Sequence, residues 1–210
     1  MAQEDIRYPE MLNISEKSEG AISIVQQLQD IQSQYYKDNK KNTFFKKSQK
    51  LDCAAETAKS FDIPTLFSSS TFQVPNTNKI VLDYTVFKMF ANPNNYLELV
   101  TLLIDLVNKM IIQYGVFEMH VNMDTFSASA AERYIPLIKL FCSECMKDQS
   151  YTRIDKMHKL FVYNTPSLVN NLAKPLLNVC DPAIRQKIVY YSKKETPDKL
   201  KELMSVSIQN

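Results

Sequence analysis

The chain has 210 residues, a formal net charge of +2 and a hydrophobic fraction of 45%. That size suits one domain, or one domain with an extension, with apolar residues enough for a sizeable core, and the near-neutral balance argues against a nucleic-acid binder, which usually carries a strongly basic domain. Gly20 and Gly115 are the only glycines, so neither a G-x-G-x-x-G turn nor a P-loop can be written, which argues against the common nucleotide-dependent α/β enzymes.

The N-terminal stretch MAQEDIRYPE holds no apolar segment and predicts no signal peptide. Cys53, Cys142, Cys145 and Cys180 are therefore expected to be reduced thiols in a cytoplasmic protein, with peripheral association at membranes as a further expectation. Residues 1–20 are polar and read as disordered. Ile24, Leu28, Ile31 and Tyr35 recur at helical spacing and predict a short amphipathic helix over 21–36. Residues 37–50, KDNKKNTFFKKSQK, set six lysines around Phe44 and Phe45. Lys40, Lys41, Phe44, Phe45, Lys46 and Lys47 are candidates for touching an anionic membrane. The bland reading of the same run is a solvated loop. Residues 51–62 are weakly helical, and 63–78, with two prolines and a Ser/Thr/Asn cluster, read as a linker. This puts an N-terminal extension at 1–75 and an α/β domain at 76–210.

From Lys79 the pattern sharpens. KIVLDYTVF (79–87) is rich in β-branched and aromatic residues and predicts a strand. Leu99, Leu102, Leu103, Leu106 and Met110 mark a helix over 96–114, stopped by Gly115. Its interruption by Glu98, Asp105 and Lys109 excludes a transmembrane span. Strict alternation over 116–126 predicts a second strand. Ser caps open a helix over 127–148, with Pro136 as a kink. A third strand (158–164), a third helix (167–180, broken at Pro175), a fourth strand (187–191) and a last helix (197–204) follow. The order β-α-β-α-β-α-β-α predicts an α/β fold, a mainly parallel sheet with flanking helices.

Chemistry-bearing groups are sparse. C-S-E-C at 142–145 lies within a helical pattern without a second pair, so neither a zinc site nor a redox motif is expected. His120 and His158 lack a recognisable triad pattern. Asp83 and Asp124 sit near strand ends, where solvation is the commoner reason for an acid. No catalytic residue, metal or cofactor is predicted.

The pieces RIDKMHKLFVYNTPSLV, CDPAIRQKIVYYS and ETPDKLKELM, in that order after VFEMHVNMDTFSASAAERYIPLIKLF, resemble the CRAL-TRIO lipid-binding domain, with Asp124 at the family's strand-ending Asp and Asn164 to Asp181 aligning without a gap. The resemblance covers 79–204 and implies a non-enzymatic lipid-binding or lipid-transfer protein. It implies an apolar pocket lined by Phe117, Met119, Val121, Met123, Ile138, Phe141, Phe161 and Tyr163. The helix 167–180 would be its lid, with Leu168, Leu172 and Leu176 facing the ligand. The lysine that approaches a lipid phosphate in phosphoinositide-binding members falls at Leu177. Lys174, one turn earlier, is the headgroup candidate. Some relatives bind small GTPases or scaffold complexes, so a protein-interaction module without a lipid is the competing expectation.

Overall fold

The computed structural model describes residues 18–39, 46–147, 153–165 and 182–205. Three helices come first, α1 (Ser18–Asp38), α2 (Lys46–Ala58) and α3 (Ile63–Ser70), then strands β1 (Thr71–Gln73) and β2 (Lys79–Asp83). A short helix α4 (Tyr84–Phe87) leads to the long α5 (Tyr96–Tyr114), β3 (Phe117–Asn122) and α6 (Ala128–Cys145). The chain continues through α7 (Arg153–Lys156), β4 (Met157–Thr165), α8 (Pro182–Arg185), β5 (Ile188–Ser192) and α9 (Thr196–Ser205).

The sheet runs β1-β2-β3-β4-β5 in sequence order. β1 is antiparallel to β2 and every later pair is parallel. Strands added in one direction by right-handed crossovers leave their connecting helices on one face. α5 and α6 accordingly share a core with Ile80 and Met119 on that face. Leu200 and Leu203 of α9 pack with Val81 and Tyr163 on the other.

Three elements differ from the sequence expectation. The segment read as a linker is helix α3 followed by β1. Asp62 caps it, accepting from the Thr65 backbone N–H at 2.8 Å, and Pro64 sits in the first turn where its missing N–H costs nothing. The sheet thus begins before the boundary expected at 75/76. The strand predicted over 79–87 ends at Asp83, whose carboxylate accepts from the Thr85 N–H at 2.7 Å and turns the chain into α4. β-branched and aromatic residues here fill a helix because the cap and the core settle the conformation.

The N-terminal helices are also tied to the sheet domain. Leu28 is fully buried in the main core, and the Gln32 side-chain amide donates to the Met89 carbonyl at 3.2 Å. α5 stops at Gly115, whose φ of 76° is left-handed and costs a glycine little. Pro136 lies inside α6 and has no N–H to give the carbonyl of Glu132, and both residues are exposed.

Candidate functional site

Between the sheet and the helices α5 and α6 lies a cavity of about 290 Å³. Its floor follows from the parallel register. Ile80, Met119 and Leu160 stand in one row and Leu82, Val121, Val162 and Tyr190 in the next, and all of these except Ile80 line the cavity. Ile188, the β5 partner of Leu160, completes the floor. Leu99 and Leu103 of α5 face Leu137, Ile138 and Phe141 of α6 across the roof. Tyr84, Phe87, Phe126 and Tyr134 close one end as an aromatic cluster, Tyr84 meeting Phe126 edge-on at 5.0 Å and Tyr134 at 5.8 Å. The opposite side reaches the edge strand β5, where Tyr190 is 40% exposed.

Among the described residues, the lining holds no acid, base or amide. Its heteroatoms belong to tyrosines, the Cys142 thiol, Thr165 and methionine sulfurs. Thr165 reaches the cavity through a bulge. Asn164 has φ 56°, and the four residues of β4 from Val162 to Thr165 stand against the three of β5 from Tyr190 to Ser192. The Asn164 side chain then donates to Asn122 Oδ1 at 2.8 Å, while Thr165 Oγ1 donates to the Tyr191 carbonyl at 2.7 Å.

Of the residues proposed from the sequence, Met119, Val121, Met123, Ile138 and Phe141 line this cavity. Phe117 is fully buried in the adjoining core and does not line it. Phe161 and Tyr163 project from the opposite face, where they stack in a ladder with His120 and Tyr191. The correction is one of parity. β4 is apolar on both faces, so a period of two residues cannot say which half of the strand faces which layer. On β4, Leu160 and Val162 are the residues that reading missed. Leu168, Leu172, Lys174 and Leu176, and with them the lid over 167–180, lie outside the described residues. So do Lys40, Lys41, Phe44 and Phe45. Lys46 opens α2, and Lys47 is exposed on it.

A polar relay borders the cavity at the carboxyl ends of the strands. Asp83, 5% exposed, accepts from the Asn122 amide at 3.1 Å, which in turn accepts from Asn164. Burial pushes the Asp83 carboxyl up, against hydrogen bonds from Thr85 and Asn122 that favour the charged form. Asp124, the other strand-end acid, pairs with Lys193 at 3.0 Å. On the ladder face, His120 Nδ1 meets the Tyr163 hydroxyl at 2.8 Å, and His158 Nδ1 meets Glu118 Oε1 at 2.8 Å. His120 Nε2 is buried without a hydrogen bond, 3.5 Å from Glu118 Oε2.

Cys142 and Cys145 lie one helical turn apart on α6, both buried without a disulfide, and burial pushes the Cys145 thiol up to about 12. A thiol held protonated in this way is a poor nucleophile and a poor metal ligand. Among the described residues, no group of three His, Cys, Asp or Glu side chains is placed to hold a metal ion. Nor, among them, is any helix long and apolar enough to cross a membrane.

Comparison with curated proteins gives no match. The family model described as the CRAL/TRIO domain matches residues 87–208, a span that takes in α5, α6, β3 to β5 and nearly all of the cavity lining. With a mostly parallel sheet flanked by helices and a match over more than half its length, the chain belongs to the CRAL/TRIO domain family.

Proposed function

We propose that the protein is a non-enzymatic lipid carrier that holds an apolar chain between the sheet and the helices α5 and α6. The observation that carries this reading is the lining itself, a space of about 290 Å³ bounded mainly by aliphatic and aromatic side chains and, among the described residues, by no acid, base or amide. Such a space offers nothing to activate a substrate and about 0.8 kcal/mol for each methylene it takes from water. The methionines Met119, Met123 and Met157 add a lining that adapts to ligand shape.

The segment 167–180 lies between β4 and β5 in the sequence, outside the described residues. We assign it the role of a cover. The exposed ring of Tyr190 at the cavity edge supports entry from that side. A transfer assay tests the reading. The protein should move a pyrene-labelled phospholipid between vesicles, and Val121→Trp, which fills the floor, should abolish transfer. Absence of transfer and of lipid uptake by the folded protein would leave a protein-interaction module as the better account.

A further inference from the structure

Among the described residues, three besides glycine have a left-handed backbone, and two of these are asparagines, Asn76 and Asn164, which tolerate it. The third is Thr125, with φ 61°. A β-branched side chain in that conformation is strained. The Phe126 N–H donates to the Met123 carbonyl at 3.0 Å, and the φ of Asp124 is negative. These are the marks of a type II turn, whose third residue is by preference glycine or asparagine. Side chains from other elements hold the turn in place. The Lys88 ammonium, just after α4, donates to Thr125 Oγ1 at 2.6 Å, and Lys193, just after β5, pairs with Asp124 at 3.0 Å. The Asp124 N–H donates to Asn122 Oδ1 at 3.1 Å. The Lys193 pair is exposed, and such contacts are weak.

This turn walls the aromatic end of the cavity. Met123 and Phe126, its first and last residues, line the cavity, whereas Thr125 between them is exposed. One turn of chain therefore separates the apolar space from solvent there. The space, about 290 Å³, lies at the lower limit of the roughly 300–1,000 Å³ usual for ligand pockets. A long acyl chain needs a wall that gives way. The floor and roof are held by the ladders of the sheet and the helices, while the tip of the turn rests on one backbone bond and side-chain latches.

We propose that the turn Met123–Phe126 is a yielding end wall that sets the length of apolar chain the cavity takes up, with Thr125 and Lys88 as its positioning residues. This role rests on the lipid reading proposed above and adds what selects among ligands. Strain at Thr125 favours release of the turn, and the Lys88 and Lys193 contacts favour its closure. A chain that reaches the wall binds the released state better and shifts the balance toward it. A chain too short to reach the wall has no such effect. Phe126, which meets Tyr84 edge-on at 5.0 Å, is the ring that moves aside.

Displacement of bound N-phenyl-1-naphthylamine from the full chain by decanoic acid and by hexadecanoic acid, each below its micelle concentration, tests the wall. Thr125→Asn suits the left-handed backbone and keeps an acceptor for Lys88, so the closed turn gains. It should weaken hexadecanoic acid by about fivefold and leave decanoic acid unchanged. Lys88→Gln removes a latch and should tighten hexadecanoic acid by about threefold, again without effect on decanoic acid. Lys201→Gln, exposed on α9 at the opposite face of the sheet, should change neither. Hydrogen exchange at the Phe126 N–H should quicken in Lys88→Gln and slow in Thr125→Asn. A lesion that merely loosened the fold would weaken both acids together. Parallel changes for the two acids, or a ratio that neither variant moves, would overturn the proposal and leave the lipid reading standing. A folded parent protein that binds neither acid would overturn both.

Discussion

Met119 and Leu160 are register partners on the parallel strands β3 and β4, and both line the cavity. The next pair along, His120 and Phe161, stacks on the opposite face with ring centres 4.7 Å apart. One residue of register thus separates a surface shaped for an apolar ligand from a ladder of rings that holds α9. The two faces should respond differently to mutation.

Phe161→Ala removes the ring between His120 and Tyr191. Phe161 is half-buried, so the expected loss is about 2 kcal/mol, below the 3–5 kcal/mol of a fully buried ring. Urea denaturation should show this loss. Lipid binding per folded molecule should stay unchanged, and a selective loss of lipid binding would place Phe161 in the ligand site after all.

Gly115→Ala isolates a backbone effect. A Cβ at Gly115 would meet nothing within 4 Å, so no clash contributes, but φ is 76°. The left-handed conformation should cost alanine about 1–2 kcal/mol. A midpoint shift in chemical denaturation, with secondary structure retained, is the expected result.

His120 makes stability depend on pH. Burial lowers its pKa to about 4, outweighing the pull of Glu118 and aided by Lys79. The unfolded imidazole titrates near the ordinary value of about 6.5. Between these values the unfolded chain binds more protons, so the native state is favoured fully above about pH 6.5 and loses that advantage as pH falls toward 4. The loss is on the order of 3 kcal/mol. Denaturation midpoints at pH 7.5, 6.5, 5.5 and 4.5 should fall accordingly, and His120→Asn should flatten the decline. An equally steep decline in the variant would assign the effect to other groups.

Asp83 should tolerate an amide but not a truncation. Its Oδ1 accepts from the Thr85 N–H, the Thr85 hydroxyl and the Asn122 amide. An asparagine keeps that acceptor and avoids burying a charge, so Asp83→Asn should stay within about 1 kcal/mol of the parent. Asp83→Ala removes the cap of α4 and strands the Asn122 amide, and should cost about 2–3 kcal/mol. Equal costs in thermal unfolding would mean that the charge, not the acceptor, holds the turn.

Where one physical signal dominated, the sequence was readable. The helix expected at 96–114 is α5, Tyr96–Tyr114, because its apolar stripe is long and Gly115 is the one residue suited to the turn that ends it. The parallel α/β class was readable from the alternation of apolar runs. α3 was hidden because IPTLFSSS carries loop-like residues, although Asp62 followed by Ile63 and Pro64 is a helix-start signal. Parity failed on β4 because Phe161 and Tyr163 are as apolar as Leu160 and Val162, and only pairing with β3 and the placement of α9 separate them. The role of Asn164 was half-visible, since asparagine tolerates the left-handed backbone that a bulge can require.

The central claim is that the space above Met119, Val121, Leu160 and Val162 is a lipid site. Native mass spectrometry of the full chain, purified without detergent and followed by lipid extraction, tests it most directly. The account predicts one apolar lipid per chain, lost in Val121→Trp while Phe161→Ala retains it. A folded parent protein that carries no lipid and takes none up from vesicles, or a Val121→Trp variant that keeps its lipid, would contradict it.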